Sequence, residues 1–135
     1  MVVTIIDGQG GRIGRQLVAA VKKALPEVTL LAAGTNTAAT EAMLSAGADR
    51  AATGENAVRV CADKADVIAG PIGIVIADAL LGEVTPAMAA AVGVCAAKKV
   101  LIPVNLCDHF IAGVPEQPVN QLIQAAVDKI RELAQ

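Results

Sequence analysis

At 135 residues with a net charge of −2, the chain is sized for one domain, 1–135, long enough to bury a core without staples. One aromatic residue (Phe110), no Tyr or Trp and no basic run exclude a base-stacking platform, so no nucleic acid partner is expected. Three scattered cysteines (Cys61, Cys95 and Cys107) without a CxxC pair exclude a disulfide framework and a zinc site. The longest apolar stretch, 67–81, is too short for a bilayer and is broken by Gly70, Pro71, Gly73 and Asp78. A cytoplasmic protein with reduced thiols, no leader and no membrane partner is the expectation.

The chain opens on a β-branched run, Val2-Val3-Thr4-Ile5-Ile6, read as a strand over 2–7. Asp7-Gly8-Gln9-Gly10-Gly11-Arg12-Ile13-Gly14 follows, and then an amphipathic pattern predicting a helix over 13–25, stopped by Pro26. Strand, clustered glycines and helix form the usual layout of a phosphate-binding turn. Glycines let the backbone approach a pyrophosphate, and a helix N-terminus offers N–H groups and partial positive charge. Gly8, Gly10 and Gly14 stand at i, i+2 and i+6 where the dinucleotide fingerprint has i, i+2 and i+5, so the signal rests on its context. Arg12 and Arg15 oppose the helix dipole, a cost that an anionic ligand would reverse and that simple solvation would leave small. Gly8, Gln9, Gly10, Gly11, Arg12, Ile13 and Gly14 are therefore the first binding candidates. Gly11→Val is expected to block phosphate while leaving the fold largely intact.

Further strands are read at 28–33, 50–52, 66–69 and 99–104, with an edge strand at 110–112. Helices are read from the turn after residue 33 to Ala46, from Glu55 to Cys61, over 74–81 and 85–97, and from Pro118 onward. Thr85 and Pro86 supply an N-cap and an N1 proline, and Gly47 a C-terminal stop. With 55% hydrophobic and 18% charged residues, this alternation predicts an α/β fold: a three-layer, Rossmann-like, doubly wound parallel sheet of five to six strands with the first near its centre. Residues 74–94 leave almost no polar face, which predicts that they form the core of a homodimer.

In such a sheet, ligands bind beyond the C-terminal strand ends. Gly34, Thr35 and Asn36 follow the second strand, Glu55 and Asn56 the third, Gly70 and Pro71 the fourth, and Asn105 the fifth. Each has a plainer alternative as cap or turn former. Parallel strands would bring Asn36, Glu55, Asn56 and Asn105 to one rim, with Glu55 as the general base. Glu83 is a second proton-carrying candidate. An NAD site has an acid at the end of the second strand. Gly34-Thr35-Asn36 offers neutral groups, which makes NADP a better fit than NAD and leaves a mononucleotide or smaller phosphate compound open. Cys107-Asp108-His109 supplies two ligands and no third, so no metal is expected.

The segments IDGQGG, GTNTAATEAM, SAGADRAATGENAV, ADVIAGPIGIVIADALLGEVTPAMAAA and KKVLIPVN resemble a family of short bacterial proteins known as domain of unknown function 3842. The resemblance covers nearly the whole chain and departs from the family at Leu106-Cys107-Asp108-His109. It implies a small cytoplasmic bacterial protein with a nucleotide-binding-like α/β fold and brings no activity with it. A nucleotide or dinucleotide binder is the leading reading. The alternatives are a non-catalytic sensor or regulatory subunit for a small anionic metabolite, or an assembly protein with a vestigial pocket.

Overall fold

A computed structural model describes residues 1–104 and 108–135; Asn105 and Cys107 lie outside the described residues. Five strands form one parallel sheet in the order β3-β2-β1-β4-β5: β1 (Val2–Asp7), β2 (Thr29–Gly34), β3 (Arg50–Thr53), β4 (Val67–Pro71) and β5 (Lys98–Ile102). The sheet is the expected α/β doubly wound one, with β1 at its centre. Ile5 pairs with Ala32 of β2 on one side and Ala69 of β4 on the other.

Alternation along β1 divides the core. Val3 and Ile5 face α1 (Arg12–Ala24), α2 (Thr37–Ser45) and α5 (Val119–Leu133), burying Leu17, Val18, Val21, Met43, Ile123, Val127 and Ile130. Ile6 faces α3 (Glu55–Lys64) and α4 (Pro86–Val94), packing with Val58, Ala62, Met88 and Val92. Side chains on a strand point alternately to the two faces, so one central strand anchors both layers. Thr85 caps α4 by accepting from the Met88 N–H at 3.1 Å. No helix among the described residues is long and apolar enough to cross a membrane. Cys61 and Cys95 are free thiols.

Two expected elements are absent. Residues 74–81 do not form a helix: a 3₁₀ turn, Ile72–Val75, is followed by tight turns in which Asp78, Leu80 and Leu81 have φ of 64°, 58° and 56°. The Asp78 N–H donates to the Val84 carbonyl at 2.8 Å, closing a loop that points Ile74 and Val84 into the core. Apolar residues at nearly every position carry no periodicity, so a buried turn and a buried helix read alike. The expected apolar excess is accordingly smaller. Ile74, Val84, Met88, Ala89 and Val92 are buried within one protomer, leaving Leu81 and Val94 as the large apolar side chains exposed between residues 74 and 94. Residues 110–112 are irregular, with Phe110 91% exposed, and make no strand.

Gly11 is more constrained than a loop position. Its φ is +71°, and a Cβ there would lie 2.9 Å from the Ala39 Cα and 3.0 Å from the Ala39 carbonyl oxygen. Gly11→Val should therefore cost about 2–5 kcal/mol through left-handed strain and backbone overlap, and not leave the fold intact. Urea unfolding of the variant against the parent checks this; a shift within about 0.5 kcal/mol, the usual size for a neutral surface change, would show that α2 can yield.

Candidate functional site

The turn after β1 is organised by a buried carboxylate. Asp7 is 5% exposed, and its Oδ1 accepts the Gly8 N–H at 2.8 Å while Oδ2 accepts the Gly14 N–H at 2.7 Å. The nearby Ile13 N–H adds a small further pull toward the ionised carboxylate. A helix leaves its first N–H groups without internal partners, and Gly11 at the N-cap has no side chain to serve them. Asp7 supplies that cap from the preceding strand. Burial pushes its carboxyl upward, the Gly14 and Gly8 N–H bonds pull it down, and nearby Glu83 pushes it up again, for a net rise.

A second carboxylate reaches the turn from the β4–α4 connection. Glu83 Oε1 accepts from the Gln9 N–H at 2.8 Å, the Thr35 hydroxyl at 2.7 Å and the Asn36 amide at 2.7 Å. Asn36 also donates to the Gln9 carbonyl at 2.9 Å and caps α2 through the Ala39 N–H. Burial raises Glu83, but these three donors outweigh it and hold the carboxyl below its ordinary value. The turns after β1 and β2 are thus tied by a residue distant from both in sequence. The turn after β2 is not neutral, since Glu83 sits on it.

A cavity of about 180 Å³ is bounded by residues 7–13 and Leu80. A second, of about 500 Å³, is lined by Arg12, Ile13, Gln16, Val104 and Val119, so Arg12 and Ile13 stand in both walls. Gly8 is packed: a Cβ there would lie 2.6 Å from Thr35 Oγ1, 2.9 Å from Leu80 Cδ1 and 3.0 Å from Glu83 Oε1. Gly14 is bare because Met43 of α2 and the Asp7 Cβ occupy the space.

Gly8–Gly14, Thr35 and Asn36 therefore come together. The remaining candidates are engaged elsewhere. Glu55, exposed at the start of α3, accepts from the Thr85 hydroxyl at 2.6 Å, and Asn56 accepts from the Arg59 guanidinium at 2.9 and 3.1 Å. Neither lines the glycine-turn cavity nor bonds to the turn, whereas Asn36 and Glu83, although not in the cavity wall, bond to Gln9 of that wall. Gly34 is pressed against Thr40 of α2, and Gly70 against the Ile6 carbonyl of the neighbouring strand β1, so both are bare for close backbone approach. Pro71 ends β4 opposite Ile102. Asn105 lies outside the described residues. Among the described residues no cluster of three metal-ligating side chains occurs. Glu83's bridging role was missed from sequence because its partners lie 47, 48 and 74 positions away.

The chain belongs to the family described as Domain of unknown function (DUF3842), which it matches over residues 2–135. No curated protein matches it. Among solved structures, a dodecameric FMN-dependent UbiX-like decarboxylase from Escherichia coli O157:H7 is similar, at 14% identity over 96% of this chain and 94% of that one, with a TM-score of 0.49.

Asp7 and Glu83 have opposite acid responses. Asp7, raised above 3.8, favours the folded state most below that value, and this contribution falls away as pH rises through its folded pKa. Glu83, lowered below 4.5, contributes above that value, and its contribution is lost as pH falls through its folded pKa. Melting curves between about pH 6 and pH 3 should lose stability more steeply in Asp7→Asn and less steeply in Glu83→Gln than in the parent. At neutral pH, Asp7→Asn should also cost about 1–3 kcal/mol, because one amide oxygen cannot serve both N–H groups. Parallel acid profiles for all three proteins would show that neither carboxylate is placed as described.

Proposed function

We propose that this DUF3842 member binds a nucleotide or dinucleotide in the crevice between β1 and β4, with a phosphate against Gly10, Arg12 and the start of α1. The observation that carries the reading is position. In the order 3-2-1-4-5 the chain reverses direction across the sheet between β1 and β4. Ligands of open parallel sheets bind beyond the strand ends at that reversal, and the glycine-turn cavity is there.

The volumes suit the two parts of such a ligand. About 180 Å³ accepts a phosphate-sized group but is below the roughly 300–1,000 Å³ of ordinary small-molecule sites. The adjoining 500 Å³ falls within that range. Arg12, in both walls, is the cation suited to a phosphate at their junction. Asp7 and Glu83 already hold the N–H groups of Gly8, Gln9 and Gly14, so phosphate recognition falls to Arg12 and the backbone of Gly10. The homodimer proposed through residues 74–94 rests on exposed Leu81 and Val94.

Thermal melts with AMP, ADP, NAD⁺, NADP⁺ and FMN test the reading. A ligand at 100 times its dissociation constant should stabilise the fold by about 2.7 kcal/mol, and Arg12→Ala should weaken binding roughly tenfold through loss of a charge-assisted contact. No shift with any of the five would remove the reading and favour the vestigial pocket. Sedimentation tests the dimer: Leu81→Asp should yield monomers, and a parent chain already monomeric at micromolar concentration defeats it.

A further inference from the structure

We infer that Glu83 reads the ribose of the bound nucleotide, accepting from the hydroxyl pair of an unmodified ribose and turning away a 2′-phosphate. This rests on the nucleotide reading of the crevice and names the class of ligand it takes. The acid that usually performs this task ends the second strand. Here the second strand ends in Gly34 followed by Thr35 and Asn36, and a carboxylate arrives at the same turn from a loop on the far side of β1.

The carboxylate is fixed in place. Three donors from two separate turns converge on Oε1, and Oε2 accepts no hydrogen bond from the described residues. A carboxylate held through one oxygen presents the other as an acceptor, which suits the hydroxyls of a vicinal diol. The bare Cα of Gly8 packs on Glu83, Thr35 and Leu80 together, so the glycine serves this placement. Electrostatics oppose a second phosphate. Asp7 lies behind the turn, Glu83 enters no ion pair among the described residues, and Arg12 is the one cation there lining the glycine-turn cavity. A 2′-phosphate brings about two further negative charges to this carboxylate. The competing view makes Glu83 an internal stand-in for the ligand's anion, displaced on binding. Convergence of three bonds and the packing of Leu80 on Gly8 favour a fixture.

Calorimetric titration of the full chain with NAD⁺ and NADP⁺, in the parent and in Glu83→Gln, decides the matter. Glutamine keeps an oxygen for the three donors and removes the charge. The parent should bind NAD⁺ at least roughly tenfold more tightly. Glu83→Gln should bring the two affinities within about threefold, by gaining NADP⁺ and losing NAD⁺ affinity. The parent ratio is a test that needs no variant to fold. Equal or reversed affinities in the parent, or a ratio unchanged by the substitution, overturn the inference while leaving the nucleotide reading in place. Tighter binding of both dinucleotides by Glu83→Gln overturns it in favour of displacement. Failure of the parent to bind either dinucleotide overturns it, and the thermal panel then shows whether mononucleotide binding survives.

Discussion

The C-terminal edge of the sheet depends on the Asp7 carboxylate. It ends the central strand, lies almost wholly out of solvent, and accepts N–H groups from both sides of the glycine turn. A buried carboxylate is costly unless hydrogen-bonded, and a helix start is costly when its N–H groups are unserved. Each need meets the other here. The bond to Gly14 therefore sets where α1 begins relative to β1, and Gly14 in turn lets α2 approach through Met43. One side chain couples strand, turn and two helices.

That coupling changes what a glycine-rich turn means. Such turns hold phosphates because their N–H groups lack partners, yet here those of Gly8, Gln9 and Gly14 are already bonded to carboxylates of the chain itself. The turn is still built for close approach: Gly11 is left-handed and pressed on Ala39. What approaches most closely is protein. The β4–α4 loop reinforces this, since Asp78, Leu80 and Leu81 hold left-handed conformations costing about 1–2 kcal/mol each. Such strain persists only where surrounding contacts over-determine it. Leu80 against Gly8, Val84 in the core and Glu83 on three donors are those contacts.

Much of the fold was legible because its signals are local. β-branched runs, the proline after Leu25 and the Thr85-Pro86 cap each act within a few residues, and they placed five strands and the central position of β1. Legibility ended where partners are distant. Thr35 and Asn36 read as a neutral pair, and nothing in their spacing announces a carboxylate 47 or 48 residues on. Glu55 and Asn56 follow a strand end as a site residue would, but β3 is an edge strand, and their bonds go to Thr85 and Arg59. The stretch 74–81 failed for a different reason: uniform apolarity signals burial without signalling conformation.

The charges around the turn are arranged asymmetrically. Glu83 occupies the β2 side, Asp7 lies beneath, and Arg12 stands on the α1 side in the walls of both cavities. A ligand with one uniformly anionic end would meet repulsion from two carboxylates wherever it lay across β2. A ligand with phosphate at one point and hydroxyl donors at another would meet a cation and an acceptor in turn. Net charge alone, at −2 for the chain, says nothing of this, because the discrimination comes from where the carboxylates are fixed. The same placement explains why a turn so rich in glycine can remain closed. Its own carboxylates, Asp7 and Glu83, satisfy the N–H groups of Gly8, Gln9 and Gly14.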